Sequence, residues 1–200
     1  MLNIMLDGLY ILNVYKAGIV VFFITIFGLG VFILKQVKTG DMDPGIKLLA
    51  SLSLGSIALC VVSYLLVWVA HFLPFLLRPA SFLVLIFAVF VIIRGIWSGE
   101  YKKTFSPRLL ISVIVLFLLL IARLSFLKHI LLPSYSDSPI HYQIVSDLLD
   151  PASGHDINLS LGNIFNHYYH FGFHSLAAWL ASIAGISPGD VISLLGQLFL

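Results

Sequence analysis

What this 200-residue chain has least of is charge. Asp, Glu, Lys and Arg make up 10% of it, against 60% hydrophobic residues. A soluble domain carries about 25% charged residues. A water-soluble fold of this size could not hide so much apolar surface, so the solvent is lipid. The net charge of +2 is too small to draw nucleic acid, and the cations sit in short links and not in a patch. There is one cysteine, Cys60, inside an apolar run. No disulfide framework is therefore available, and Cys60 reads as a small buried hydrophobe. The N-terminus lacks the basic segment and small-residue cleavage site of a secretory signal, and carries Asp7 instead.

The most informative absence is local. No lysine or arginine follows Lys128, yet acids and histidines crowd there. Asp137, Asp147, Asp150 and Asp156 share a short stretch with His141 and His155, and His167, His170 and His174 follow. Lysine and arginine concentrate in cytoplasmic loops, so a long cation-free loop belongs outside.

A spanning helix needs about 20 mainly apolar residues. Uncharged runs predict an all-α polytopic bundle, read as a single transmembrane domain over residues 1–200, with spans near 17–34, 48–73, 80–93, 109–127 and 169–186. Pro74 and Pro79 bracket a tight turn between the second and third spans. Residues 191–200 begin a sixth span, too short to cross. That shortness suggests an N-terminal part of a longer protein, expected to be inactive by itself; the alternative is a re-entrant or interfacial C-terminal helix. The link after the first span carries Lys35, Lys38 and Lys47, and the link after the third carries Arg94, Lys102, Lys103 and Arg108. Both are therefore cytoplasmic, which puts the N-terminus and residues 134–168 outside.

Within that loop, Ser138-Pro139 is a helix-start signal, serine as cap and proline in the first helical position. Ile140, Ile144, Val145, Leu148 and Leu149 then recur at helical spacing. This predicts a short amphipathic helix in the membrane interface, its apolar face toward the lipid. Asp137 lies just before the cap, where the positive helix end favours its charged form. His141 is four residues on, close enough for the two side chains to meet. A carboxylate with a nearby imidazole suits general-base work on a hydroxyl, and equally suits a divalent metal. Solvation of both residues beside a plain turn is the third possibility. Asp147 and Asp150 read as solvated residues of the polar side. Asn158-Leu159-Ser160 matches a glycosylation sequon, a short pattern with little weight.

His167, His170 and His174 share one face if helical, which is a weak metal-ligand spacing. The glutamate of the usual catalytic zinc helix is missing, since Phe171 holds its place. An aromatic interfacial belt or headgroup contacts would use the same residues. Arg123, near the end of the fourth span, either snorkels to the interface or holds a phosphate together with Lys128.

With these residues in hand, the stretch from Asp137 to Gln197 resembles the first external loop and following helix of GT-C superfamily membrane glycosyltransferases. The closest likeness is to large bacterial proteins of the protein-mannosyltransferase type. The words that carry it are Asp137-Ser138-x-x-His141, then Tyr169-His170-Phe171-Gly172-Phe173-His174-Ser175-Leu176-Ala177-Ala178, then Gly196-Gln197. The resemblance implies a polyprenyl-phosphate sugar donor, an acceptor on the extracytoplasmic face of a bacterial cytoplasmic membrane, and Asp137 as the catalytic acid of the loop. His141, His170 and His174 would be its neighbours at the substrate. Two other readings stay open: a membrane metalloenzyme using His167, His170 and His174, and a non-catalytic transport or assembly subunit.

The topology is directly testable. A cysteine placed at Ser153 should react with a membrane-impermeant thiol reagent on intact cells. Reaction only after permeabilisation would reverse the orientation of every span.

Overall fold

In a computed structural model of the chain, residues 2–37, 42–99, 107–129, 138–149 and 171–199 are described. Among them there is helix and no strand. The helices are α1 (Leu2–Val14), α2 (Lys16–Gln36), α3 (Pro44–Phe72), α4 (Leu77–Trp97), α5 (Pro107–Ser125), α6 (Ser138–Leu149), α7 (Phe171–Ala184) and α8 (Pro188–Phe199). Short 3-10 turns follow α3 and α5, at Pro74–Leu76 and Phe126–His129. Four helices are long and apolar enough to cross a membrane: α2, α3, α4 and the α5 segment. A fifth crossing arises if α7 and α8 count together as one bent span.

Proline sets several boundaries. α3, α5 and α8 each open on proline, and α6 has Pro139 in its first turn. The missing N–H costs nothing there, because the first helical amides lack an internal partner anyway. At α3, the Asp43 carboxylate accepts the Gly45 amide at 2.8 Å and caps the start. Pro79 follows the same rule. It sits in the first turn of α4, so the turn between the spans is only Leu73 and the 3-10 segment, and Arg78 is already helical. α4 thus begins earlier and ends later than the apolar run alone indicated.

The sequence reading gave no helix before residue 17, yet α1 is there. It is 13 residues long and carries Asp7, so it fails any test of length and neutrality. The main-chain ladder almost continues into α2: the Tyr15 amide reaches the Ile11 carbonyl at 2.9 Å, and Ile19 reaches Tyr15 at 3.0 Å. α1 packs against α5. A Cβ on Gly8 would collide with the Ile121 main-chain carbonyl, so the two backbones are in direct contact. At the end of α5, Lys128 makes an ion pair with Asp7, and its ammonium lies 5.8 Å from the Tyr10 ring centre.

The chain forms two compact units. The first comprises residues 1–59 and 83–128, the second residues 60–82 and 129–200. In the first unit α2 is the most enclosed span, with Phe22, Ile26 and Leu29 in its core. Helix contacts there rest on small residues. A Cβ on Gly30 would overlap the Ser51 carbonyl of α3, one on Gly55 the Ile26 carbonyl of α2, and one on Gly28 would meet the backbone of Ala88 in α4. In lipid no hydrophobic drive brings helices together, so close backbone packing must do it. Buried hydroxyls satisfy themselves on their own helices: Thr25 donates to the Val21 carbonyl at 2.7 Å, and Ser51 to Lys47 at 2.8 Å.

In the second unit α6 packs on α7 and α8, and α7 on α8. At 14 and 12 residues, α7 and α8 are about 21 and 18 Å long, short of a hydrocarbon core of about 30 Å. They meet at a bend of 117°. Gly185 makes the bend possible: its φ is +66°, and its amide closes α7 onto the Ala181 carbonyl at 3.0 Å. Ser187 then starts α8. Its hydroxyl accepts the Asp190 amide at 3.2 Å and donates to the Asp190 carboxylate at 2.8 Å. Within the described residues, the expected fifth span and the start of the sixth are two short helices joined by this bend.

Gly30→Leu and Gly55→Leu should each lower stability by about 1–3 kcal/mol, the scale of overpacking. Gly196→Leu, with open space around it, should change stability by less than about 0.5 kcal/mol. Unfolding of the purified variants in detergent checks this, and equal tolerance at all three positions would contradict the close α2–α3 crossing.

Candidate functional site

Two of the sequence's histidines meet. His141 is the fourth residue of α6, and His174 the fourth of α7. Each thus lies in the first turn of its helix. His141 Nδ1 and His174 Nε2 are 2.7 Å apart, with the rings near parallel at 25° and their centres 4.9 Å apart. His174 is buried, and His141 is half-buried. The edge of Phe173 lies against His174, ring centres 5.9 Å apart.

A contact of that length between two ring nitrogens holds one proton. If His174 donates, His141 Nδ1 is the acceptor and its proton sits on Nε2. If His141 donates, its Nε2 keeps a lone pair and can accept a proton. Either way the contact couples the tautomers of the two rings and holds the ring plane of His141. The local sequence explains the placement. Ser138-Pro139 starts α6 so that His141, Ile144, Val145 and Leu148 lie on one side, and the last three are buried. That side is covered by α7 and α8.

The cover is wider than a single apolar stripe, and this corrects the expectation for Asp147. It is buried, 3% exposed, not solvated. On a helical wheel it lies beside Ile144, which is also buried. Its carboxylate accepts from the Gln143 side-chain amide at 2.7 Å, one helical turn back. Burial of a carboxylate is costly unless it is hydrogen-bonded, and Gln143 supplies such a bond. Ile140, placed on the apolar side by periodicity, is 57% exposed.

α7 carries further buried polar groups that the sequence reading passed over. Ser175 Oγ and Trp179 Nε1 have no hydrogen-bond partner among the described residues and are fully buried. Ser182 donates to the Trp179 carbonyl at 2.7 Å and lies 3.5 Å from the Ser81 hydroxyl. The cue was available: Ser175, Trp179 and Ser182 recur at helical spacing in an otherwise apolar run.

The remaining candidates divide as follows. Asp137, the proposed general base, and His167 and His170 lie outside the described residues, as do Asp150, Asp156, His155 and the sequon. Among the described residues no group of three His, Cys, Asp or Glu side chains could hold a metal ion. Of the three histidines considered as ligands, His174 is described, and it faces His141. Lys128 is engaged by Asp7. Arg123 is half-buried in the last turn of α5, its Nε buried without a hydrogen-bond partner. Comparison with family models, curated proteins and solved structures finds no match.

His141 and His174 should be energetically coupled. In a double-mutant cycle with His141→Ala and His174→Ala, unfolding free energies should depart from additivity by about 0.5–3 kcal/mol. Additivity within about 0.3 kcal/mol would mean that the two rings do not interact.

Proposed function

We propose that this chain is, or is part of, an integral membrane glycosyltransferase of the GT-C type. It would move a sugar from a polyprenyl-phosphate donor to an acceptor hydroxyl on the extracytoplasmic side, with inversion. One observation carries the reading. The two separate sequence words behind the resemblance, Asp137-Ser138-x-x-His141 and His170-Phe171-Gly172-Phe173-His174, are joined by the 2.7 Å contact between His141 and His174. That contact, between residues 33 positions apart in sequence at the first turns of two packed helices, supports reading them as one site.

The chemistry is a single displacement. The Asp137 carboxylate takes the proton of the acceptor hydroxyl. The acceptor oxygen forms a bond to the anomeric carbon as the carbon–oxygen bond to phosphate breaks. The electron pair leaves with the phosphate, giving a free polyprenyl phosphate and an inverted sugar linkage. Asp137 suits the base role because it precedes the start of α6 and sits four residues before His141. His141 would contact the substrate or hold the carboxylate in place. His174 acts through His141 and is a positioning residue. The external placement of residues 134–168 rests on the absence of lysine and arginine after Lys128, and α6 would lie at the membrane–water boundary.

Asp137→Asn should cut transfer by about 10²–10⁴-fold, the usual worth of a general base, or roughly 3–5 kcal/mol of barrier. Asn is as good a helix-capping residue as Asp, so loss of the charge at the N-terminus of α6 should cost only about 0.3–1 kcal/mol of stability. The rate is measured in membranes at matched protein level, with and without chelator. A fully active Asp137→Asn protein would make Asp137 a turn residue. Activity abolished by chelator and restored by a divalent cation would move the account to metal chemistry.

A further inference from the structure

Arg123 stands in the last turn of α5, five residues before Lys128. That spacing sets its Cα about 8 Å along the chain axis from Lys128. Lys128 is exposed and pairs with Asp7, which marks that end of the helix as the boundary with water. Arg123 is therefore inside the boundary, within reach of it, on a segment long and apolar enough to span.

Arg123 makes no hydrogen bond or ion pair with any described residue, and its Nε is buried. The described acids of the same unit are committed elsewhere. Asp7 holds Lys128. Asp43 caps α3 beside Gly45, whose Cβ would lie 3.5 Å from Ser112 Oγ near the other end of α5. Eleven residues of helix, about 16 Å, separate Ser112 from Arg123. A guanidinium at that depth without a counter-charge among the described residues is costly, and a buried N–H unanswered by them adds to the cost.

The neighbours on the same face say what could answer it. Leu119, one turn before Arg123, and Phe126, three residues after it, are both strongly exposed, at 56% and 58%. An apolar chain can lie along that face with its head at the level of Arg123. The planar guanidinium fork matches two oxygens of a phosphate. We propose that Arg123 binds the phosphate of a membrane lipid whose hydrocarbon chain lies along Leu119 and Phe126. A bulk-phospholipid site stands without the glycosyltransferase reading, whereas a polyprenyl-phosphate site rests on it. Its ligand is defined by chemistry: a lipid phosphate, either of a bulk phospholipid or of a polyprenyl phosphate.

The test is the unfolding midpoint of the purified full chain in detergent, titrated with dioctanoyl-phosphatidylglycerol, with a short polyprenyl monophosphate and with phosphate-free dioctanoylglycerol. At least one phosphate lipid should raise the midpoint, and dioctanoylglycerol should not. Arg123→Gln should need about five-fold more lipid for the same rise, the factor expected for one basic side chain at an anionic surface. Arg123→Lys should fall between, and keeps the test readable if Arg123→Gln fails to fold. A response to phosphatidylglycerol identifies a bulk-lipid site, and a response to the polyprenyl phosphate alone identifies a donor-class site. No response in the wild type, an equal response to dioctanoylglycerol, or unchanged lipid dependence in both Arg123 variants would overturn the proposal.

Discussion

A backbone amide in hydrocarbon must find its hydrogen-bond partner within the protein. That constraint governs this chain. With 60% hydrophobic residues and so few charges, it has no soluble alternative, and its described residues satisfy the constraint by becoming helix. The helices then need another reason to associate, because lipid is as apolar as their side chains. Glycines supply it in the first unit, where Gly28, Gly30 and Gly55 bring backbones into contact. The buried serines and Thr25 do not weaken the packing, because most return their hydroxyls to their own helix.

The same constraint makes polar groups conspicuous where they remain. In the second unit they gather on α6 and α7: His141, Asp147, His174, Ser175 and Trp179, most of them fully buried. A protein selected only for packing would have little use for such a group of side chains. The His141–His174 contact answers part of that polar demand internally, and orients His141 while doing so. It also explains why a short helix such as α6, 12 residues long, has a defined place: two packed helices and one ring contact hold it. The proposed base role of Asp137, which precedes α6 in sequence, builds on that placement.

Much of this was legible in the sequence, and the failures have physical reasons. The long spans were visible because uncharged runs of sufficient length have few other uses. The start of α6 was visible in Ser138-Pro139. The same signal, Ser187-Pro188 with Asp190 three residues after the serine, marks α8, and reading it would have located the bend between the last two helices. α1 was hidden because its stability comes from α5 and from an ion pair across 121 positions of sequence, which no local pattern encodes. Asp147 was misread for a related reason. Periodicity assumes one buried stripe, whereas α6 is covered by two neighbours. The histidine pairing could be guessed only as a shared role, since spacing along one helix says nothing about contact between two.

The claim on which the account turns is that the His141 and His174 imidazoles share a hydrogen bond between Nδ1 and Nε2. It can be observed without any substrate. In protein carrying ¹⁵N-labelled histidine, a nitrogen–nitrogen scalar coupling across that bond should appear between Nδ1 of His141 and Nε2 of His174. It should vanish from both rings when either residue is replaced. Two sharp imidazole spin systems with no coupling, each unaffected by loss of the other, would show that the two sequence words do not meet, and would remove the basis for a single site.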